Sequence, residues 1–390
     1  MSDRKYKPGK HFLQLPGPSN VPDRILNAMC YPTIDHRGPE FSELALKCLS
    51  GIKTIFKTKN PVIIFPASGT GAWEAALVNT LNDGDNDLMV ETGHFASLWN
   101  NMAQKLGLKV ELLKTDWRQG LDPNEIEKRL RLDADKKIKA VCIVHNETST
   151  GCTSDVKAVR KILDNLNHDA LLMVDSISGL ASMNYEHDEW GVDITISGSQ
   201  KGLMLPPGLS FNAISEKAIN ASKKSNLKKS YWDWDEHLEF NRTGFFPYTP
   251  ATNLLFGLKE AIEMLHEEGL NNVFKRHARY SKATRIAVNA WGLEVYCQNE
   301  KRFSDVLTAV LVPGNKDSDQ LRKIILENFN MSLGNGLSKL KGKVFRIGHL
   351  GDFNDLSLLG TLSGVEMGLD LMQIPISCLL YTSPSPRDRG

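Results

Sequence analysis

Three segments of the sequence place reactive or anion-binding side chains directly after apolar runs that are typical of buried strands. Residues 67–74, ASGTGAWE, offer bare backbone amides and two hydroxyls that could hold one phosphate at the start of a helix. Asp175 ends the second run, where a carboxylate must be paired or hydrogen-bonded because burying it alone is costly. Lys201 follows the third run among small, uncharged and apolar neighbours, and a lysine removed from water has a lowered pKa and can act as a nucleophile.

Each segment also has an ordinary interpretation: a strand-to-helix turn, a helix cap or a surface lysine in a glycine turn. A dinucleotide-binding motif is disfavoured, because Glu74 stands where the third glycine of GxGxxG would fall. Together, however, the three segments match the needs of pyridoxal 5′-phosphate. Lys201 would hold its aldehyde as an imine, Asp175 would keep its ring nitrogen protonated, and residues 67–74 would anchor its phosphate. The sequence therefore predicts a pyridoxal phosphate enzyme without a metal.

Two further segments could complete such a site. Residues 145–151, HNETSTG, follow another apolar run, and a hydroxyl there could bond the phenolic oxygen of the cofactor, although a lone His or Thr at a strand end is more often structural. Arg346 lies between apolar neighbours in FRIGHLG at 345–351. A buried guanidinium favours a carboxylate, which is either that of an amino-acid substrate held by a bidentate fork or that of an internal acid.

Periodicity predicts the elements that must position these residues. Short apolar runs alternate with amphipathic helical patterns, which is typical of an α/β domain with a mainly parallel sheet. Strands are expected at residues 61–65, 87–90, 109–113, 140–145, 170–175, 193–197 and 210–214, and helices at residues 72–81, 95–106, 123–132 and 156–166. Because ligands bind beyond the carboxyl ends of parallel strands, the reactive segments should meet at one edge of this sheet.

Changes in pattern divide the chain into four predicted parts. Residues 1–20 form an N-terminal arm, 21–265 a large cofactor-binding domain, and 266–376 a smaller α+β C-terminal domain. Residues 377–390, SCLLYTSPSPRDRG, have the character of a non-native tail and are left out of the fold prediction. From residue 252 onward, the expected helices are 252–268, one ending near 289, 318–329 and 355–372, and the expected strands are 292–296, 306–312 and 344–347.

Composition and charge narrow the class of protein. Among 390 residues, 47 Lys and Arg against 46 Asp and Glu give a formal charge of +1, so no strong basic field exists to recruit a nucleic acid or an anionic membrane. Six cysteines are scattered without a CxxC pair or metal-ligand spacing, which suits reduced thiols. No apolar stretch suits a signal peptide or a membrane span, so a cytoplasmic protein is expected, with any native C-terminal targeting signal unreadable.

Eight motifs, in order and with similar spacing, resemble the class V aminotransferases of fold type I, in particular the serine–glyoxylate and alanine–glyoxylate aminotransferases. The resemblance covers about residues 11–376. The motifs are PGPSNVP (16–22), DHRGPEF (35–41), SGTGAWE (68–74), HNETSTG (145–151), VDSISG (174–179), SGSQKGLMLPPG (197–208), PYTPATNLLFGL (247–258) and FRIGHLGDFN (345–354). The family continues past residue 376 with folded chain, which the tail replaces here.

The resemblance implies roles for individual residues. Lys201 would bind the aldehyde of the cofactor, Asp175 would pair with the pyridine nitrogen, and Arg346 would bind the substrate carboxylate. The other residues implied to contact the cofactor are Ser68, Gly69, Thr70 and Gln200 at the phosphate, Thr148 at the phenolic oxygen, Phe95 stacked on the ring, and Ile177.

The resemblance also implies an assembly, because the family builds its site across a homodimer. Tyr248 and Thr249 would then reach the phosphate bound by the partner subunit, and Gly17 would line the mouth through which substrates enter. The expected partners are therefore a second copy of the chain and small amino-acid and 2-oxo-acid substrates.

The implied activity is transamination from an amino acid, serine first and alanine or aspartate next, to glyoxylate, giving glycine and the matching 2-oxo acid. The alternative enzyme is another class V protein such as a cysteine desulfurase-like lyase, which would need a mobile cysteine and a His before the lysine. Gln200 precedes Lys201, however, and Cys297 lies in a strand-like run. A non-catalytic protein that retained the fold is a third interpretation, against which the intact Lys201, Asp175 and Arg346 argue.

Overall fold

The computed structural model describes residues 9–314 and 316–377, so most of the expected tail and the first part of the arm lie outside the described residues. Its strands, in chain order, are β1 (Phe12–Gln14), β2 (Val62–Phe65), β3 (Asn86–Glu91), β4 (Lys109–Lys114), β5 (Ile138–Val144), β6 (Asn146–Glu147), β7 (Cys152–Thr153), β8 (Leu171–Asp175), β9 (Ile194–Gly198), β10 (Ser210–Ile214), β11 (Glu294–Val295), β12 (Leu307–Leu311), β13 (Met331–Asn335) and β14 (Val344–Gly348).

The α-helices lie between and after these strands. They are α1 (Asp23–Met29), α2 (Pro39–Phe56), α3 (Gly69–Thr80), α4 (His94–Lys105), α5 (Pro123–Arg131), α6 (Val156–Asn165), α7 (Glu216–Ser222), α8 (Trp234–Asn241), α9 (Thr252–Glu268), α10 (Leu270–Ala290), α11 (Ser318–Phe329) and α12 (Asp355–Leu371). In the part of the chain that the structure describes, none of these helices is both long enough and apolar enough to cross a bilayer.

The larger sheet has seven strands in the order β2-β10-β9-β8-β5-β3-β4. Strand β10 runs antiparallel to both of its neighbours, and the other neighbouring pairs are parallel. Helices α2, α5, α6 and α9 pack on one face, and α3 and α4 pack on the other. Because both faces are covered, the central strands are buried on both sides, which is why they read as continuous apolar runs.

The smaller sheet has five strands in the order β1-β13-β14-β12-β11, and α10, α11 and α12 contribute to the core that packs against it. Strand β1 comes from the N-terminal arm and pairs in parallel with β13, so that Phe12 lies opposite Met331. The arm is therefore built into the C-terminal part of the molecule. The other neighbouring pairs of this sheet are antiparallel.

The predicted fold class, a mainly parallel α/β sheet with a smaller α+β part, is confirmed. Each expected strand of the larger sheet is present with ends within two residues of the prediction, whereas α3 begins at Gly69 instead of residue 72. The sequence analysis predicted neither β1 and β13 nor the hairpin of β6 and β7, and it missed α1, α2, α7 and α8. The domain boundary at 265/266 falls inside α9 and stays a prediction.

The arm passes between the smaller sheet and the segment that carries Lys201. The backbone N–H of Ser19 donates to the carbonyl of Gln200 at 3.0 Å, and its hydroxyl donates to the carbonyl of Lys201 at 2.9 Å. On the other side, a Cβ at Gly348 would overlap the carbonyl group of Leu15. The absence of a side chain at this β14 position lets the arm lie against the sheet, so one segment contacts both parts of the molecule.

Candidate active site

A cavity of about 100 Å³ lies at the carboxyl edge of the larger sheet. Strands β2, β3, β5, β8 and β9 all end at this edge, so the segments that follow them converge on it. The residues that line the cavity are Ser68, Gly69, Thr70, Trp73, Phe95, Val144, Asn146, Thr148, Asp175, Ile177, Ser178, Gln200 and Lys201. The structure therefore brings together nine of the residues predicted to contact the cofactor.

The first turn of α3 forms one end of the cavity and is suited to an anion. Ser68 is the N-cap residue, and its hydroxyl makes no capping hydrogen bond within the described chain. A Cβ at Gly69 would overlap the Ile177 side chain, so only glycine lets this turn approach the cavity. Oε1 of Gln200 is buried nearby and has no hydrogen-bond partner among the described residues. The free N–H groups at this helix start and the Ser68 hydroxyl can donate to a phosphate, and Gln200 can do so with the NH₂ of its side-chain amide turned toward it.

Asp175 lies at the end of the central strand β8 and accepts two fixed hydrogen bonds. The indole N–H of Trp73 donates to Oδ2 at 3.0 Å, and the backbone N–H of Ile177 donates to Oδ1 at 2.7 Å. Burial, assisted by the nearby Glu147, raises the pKa of Asp175 to about 7, although the two hydrogen bonds and Lys201 act in the opposite direction. A cationic ring nitrogen would supply the partner that this carboxylate lacks.

Lys201 follows β9 and extends into the cavity. Its Nζ donates to the carbonyl of Pro16 in the arm at 2.7 Å. Burial lowers the pKa of Lys201 to about 8, and the positive charge of Arg346 lowers it as well, while Asp175 acts in the opposite direction. The neutral fraction of this amine near pH 7 is therefore much larger than that of an ordinary lysine, and the neutral form is the one that acts as a nucleophile.

Gly17 lies directly against Lys201, although it is not among the residues that line the deeper cavity. It has φ +99°, and a Cβ there would overlap the end of the lysine side chain. The arm can pass the lysine only because this position carries no side chain. This placement agrees with the expectation that Gly17 lies at the substrate mouth, and its contact with substrate stays a prediction.

Arg346 on β14 is 6% exposed and is anchored by backbone carbonyls. Its Nε donates to Asn335 O and its Nη1 to Thr148 O, both at 2.7 Å, whereas Nη2 has no hydrogen-bond partner within residues 9–314 and 316–377. Burial lowers the pKa of Arg346 to about 10, and Glu147 opposes this shift. The guanidinium is held rigidly next to the cavity with a free donor for a carboxylate.

Phe95 reaches the cavity because its turn is fixed by residues of the HNETSTG motif. The hydroxyl of Ser149 accepts the backbone N–H of His94 at 2.9 Å and donates to Oε1 of Glu147 at 2.7 Å. Oε2 of Glu147 accepts the backbone N–H of Ala96 at 3.3 Å. These contacts satisfy free N–H groups at the start of α4 and set the direction in which the Phe95 ring leaves the helix.

Tyr248 and Thr249 do not line the cavity of their own chain. The Tyr248 ring stacks on Tyr231 with centroids 5.0 Å apart, and its hydroxyl donates to Glu236 at 3.0 Å. A position outside the chain's own cavity is compatible with the expectation that they serve a partner subunit. That role stays a prediction.

The sequence analysis missed several residues that the structure places at the site. Trp73 lay within a quoted motif, but its hydrogen bond to Asp175 joins residues 102 positions apart and leaves no local signal. Asn146 lines the cavity, and its buried Oδ1 has no partner in the described chain. The role of Glu147 could have been predicted, because an acidic side chain that follows a buried strand must find hydrogen-bond donors.

The mainly parallel sheet, the phosphate-binding turn, the buried carboxylate and the lysine with a lowered pKa together define a pyridoxal phosphate-dependent enzyme of fold type I. The residues present fit the cofactor, since the Asp175 carboxylate can accept a hydrogen bond from a protonated ring nitrogen, and the Ser68 and Thr70 hydroxyls at the start of α3 can donate to a phosphate.

Comparison with known proteins identifies the family. The family model described as aminotransferase class-V matches residues 12–337. A serine–glyoxylate aminotransferase of Arabidopsis thaliana is 45% identical over 376 residues, covering 96% of this chain and 94% of that protein. An L-aspartate–glyoxylate aminotransferase of Paracoccus denitrificans is 42% identical over 364 residues, covering 93% and 92%. The chain belongs to the class V aminotransferase family.

A solved structure supports the same assignment. The alanine–glyoxylate aminotransferase from Nostoc sp. matches with a TM-score of 0.88 and 27% identity, covering 95% of this chain and 98% of that one. The predicted family, the predicted cofactor and the prediction of an aminotransferase are confirmed. The lyase alternative is not favoured, and Cys297 is buried away from the residues that line the cavity.

The electrostatic environment of Lys201 predicts the pH at which its amine becomes reactive. The neutral amine is the reacting form, so acetylation of Lys201 in cofactor-free protein should increase with pH, with a midpoint near pH 8. Arg346→Gln removes a positive charge that lowers the pKa of Lys201, so the midpoint should move to higher pH, whereas Arg346→Lys keeps the charge and should move it less. Competitive acetylation followed by peptide mass mapping measures the midpoint. An unchanged midpoint in Arg346→Gln would contradict this electrostatic account.

Proposed function

We propose that this enzyme transfers the amino group of serine, with alanine and aspartate as the next candidates, to glyoxylate, giving glycine and the matching 2-oxo acid. The observation that carries the proposal is that Lys201 and Asp175 line one cavity, while Arg346, which is not itself a lining residue, is anchored to the lining residue Thr148. A reactive amine, a partner for the cofactor ring and a carboxylate-binding donor are the three functions that transamination of an amino acid requires.

Lys201 performs the proton transfer in this proposal. Bound pyridoxal phosphate supplies an electron sink for the bonds at the donor's Cα. With the cofactor bound, the Lys201 amine would be placed to take the proton from the Cα of the amino donor and to return it to the C4′ carbon. A pKa of about 8 suits both steps, because the amine can accept and release a proton near neutral pH. The carbonyl of Pro16, 2.7 Å from Nζ, is in place to orient the displaced amine.

Arg346 and Asp175 hold the reactants on either side of this proton transfer. Arg346 binds the carboxylate common to the amino acid and the 2-oxo acid, and its anchoring to Thr148 O and Asn335 O fixes where that carboxylate lies. Asp175, which lines the same cavity as Lys201, would pair with the ring nitrogen. Phe95 and Ile177 supply apolar surface that orients the ring, and Ser68, Gly69, Thr70 and Gln200 hold the phosphate.

The proposed order of amino donors rests on sequence identity to named relatives and on the space near Lys201. The relative named for serine is 45% identical, and those named for aspartate and alanine are 42% and 27% identical. The arm crowds the lysine at Gly17, which favours small substrates such as serine and glyoxylate over bulky ones. Discrimination between a methyl and a hydroxymethyl group depends on one or two contacts of about 1–3 kcal/mol.

The donor is tested in a half-reaction without glyoxylate. Serine, alanine and aspartate are added one at a time to enzyme that carries pyridoxal phosphate, and the absorbance of the cofactor is followed as it becomes the pyridoxamine form. Serine should convert it fastest, and glyoxylate should then restore the starting spectrum. Lys201→Ala should still bind the cofactor but convert it roughly 10²- to 10⁴-fold more slowly. Conversion with none of the three donors, or no reversal by glyoxylate, would reject the proposed reaction.

We further propose that the enzyme acts as a homodimer with shared sites. Three apolar or aromatic side chains in this region are each at least 37% exposed, namely Leu46, Tyr231 and Phe240. Leu46 contacts Gly244, which belongs to the segment that leads to Tyr248. Exposed apolar side chains near one another are typical of an interface. In such a dimer, Tyr248 and Thr249 would bind the phosphate held mainly by the partner subunit.

Mixed dimers test the shared site. One chain carries Lys201→Ala, and the other carries Tyr248→Ala with Thr249→Ala, so each homodimer is impaired. If the sites are shared, the purified heterodimer contains one complete site and should recover about half of the wild-type activity, as expected for a two-fold assembly with one intact site of two. Two affinity tags allow the heterodimer to be isolated. If the heterodimer is no more active than the impaired homodimers, Tyr248 and Thr249 do not contribute to the active site of the partner subunit.

A cytoplasmic location is part of the proposal. Its support is the presence of free thiols, since Cys30, Cys48, Cys142, Cys152 and Cys297 are all unbridged. Four of these five thiols are buried. Unpaired thiols are typical of proteins kept in a reducing compartment.

A further inference from the structure

Trp73 lies one turn into α3 and contacts both the cavity and the hydrophobic core. Its side chain is 2% exposed, and its indole N–H donates to Oδ2 of Asp175 at 3.0 Å. Oδ1 of the same carboxylate accepts the backbone N–H of Ile177 at 2.7 Å. One donor comes from a side chain on α3 and the other from the turn after β8, so the plane of the carboxylate is fixed from two directions.

We propose that Trp73 is a positioning residue for the cofactor, and that its indole N–H keeps the Asp175 carboxylate charged and oriented toward the ring nitrogen. The inference rests on the proposed pairing of Asp175 with that nitrogen. A hydrogen bond to a carboxylate stabilises the charged form, and its effect is larger where water is excluded. Without the indole donor, the carboxylate is freer to rotate and competes more strongly with the ring nitrogen for the proton.

The charges around Asp175 explain why this donor matters. Glu147 disfavours the carboxylate, and Lys201 favours it. The charge of Lys201, however, changes during the proposed reaction, because this amine binds the cofactor and then accepts and releases a proton. The hydrogen bonds of Trp73 and Ile177 are therefore the contributions that persist when the cofactor is bound. Of these two, only the Trp73 donor belongs to a side chain and can be removed by substitution.

Trp99 provides a matched control. Its ring stacks on that of Trp73, with centroids 5.9 Å apart and planes 13° from parallel, and it is 1% exposed. Its indole N–H has no hydrogen-bond partner within the described chain. Trp99→Phe therefore removes an indole of the same size from the same stack without removing a donor from Asp175. A purely structural role of the stack predicts similar effects for the two substitutions.

The experiment titrates cofactor-free protein with pyridoxal phosphate labelled with ¹⁵N in the ring. The dissociation constant measures binding, and the ¹⁵N chemical shift reports whether the ring nitrogen is protonated. Trp73→Phe should weaken binding by about 10-fold or more, as expected for loss of a hydrogen bond to a charged group, and should move the shift toward the unprotonated ring. Trp99→Phe should weaken binding less than about 3-fold, as for a substitution that removes no partner, and should leave the shift in place.

A double-mutant cycle identifies the route of the effect. Asp175→Asn should itself weaken binding and move the ¹⁵N shift. In that background, Trp73→Phe should cause little further change, because the charge on which the indole acts is already gone. Equal effects of Trp73→Phe with and without Asp175 would overturn the proposal, as would equal effects of Trp73→Phe and Trp99→Phe in the wild-type background.

A measurement on the unsubstituted indoles keeps the test valid if Trp73→Phe does not fold. The indole N–H resonance of Trp73 should move upfield in Asp175→Asn, because a neutral amide oxygen is a weaker acceptor than a carboxylate, and the Trp99 resonance should stay in place. An unmoved Trp73 resonance would reject the inference. Failure of the wild-type protein to bind pyridoxal phosphate, or a normal ¹⁵N shift in Asp175→Asn, would instead reject the underlying role of Asp175.

Discussion

Asp175 lies at the end of the central strand of a seven-stranded sheet, where folding removes its carboxylate from water. A buried carboxylate without partners is costly, and three neighbouring elements reduce that cost. Helix α3 contributes the Trp73 indole, the turn after β8 contributes the Ile177 amide, and the segment after β9 contributes the Lys201 amine. The same elements carry the glycine turn at the start of α3 and Lys201, which both line the cavity, so the contacts that stabilise this one charge also set the geometry of the cavity.

The N-terminal arm connects this cavity to the rest of the molecule. Its strand β1 extends the smaller sheet, and a few residues later it contacts the lysine through the Pro16 carbonyl and Ser19. Arg346, on a strand of that smaller sheet, is anchored in turn to the carbonyl of Thr148. The Arg346 guanidinium and the Lys201 amine are therefore linked by short chains of backbone contacts. Gly17 and Gly348 permit this close passage, because a side chain at either position would overlap its neighbour.

The predictable features were those that leave a local signal in the sequence. Strands buried on both faces gave continuous apolar runs, and Asp175 and Lys201 were recognised because they follow such runs directly. The pairing of β1 with β13 was not predicted, since β1 has three residues and its partner lies more than 300 residues away. Helix α2 was missed although its buried residues recur with helical spacing, so there the signal was present. The Trp73 hydrogen bond depends on how α3 packs against β8, which spacing along the chain does not specify.

The central claim is that Lys201 is the residue that binds pyridoxal phosphate covalently. Borohydride reduction of the cofactor-loaded enzyme makes such a linkage permanent, and peptide mass mapping then identifies the modified lysine. The account predicts one modified peptide, carrying the added mass on Lys201, and no modification of that peptide after the amino donor has been added in excess. Modification of a different lysine, or none in folded protein that retains the cofactor, would contradict the account.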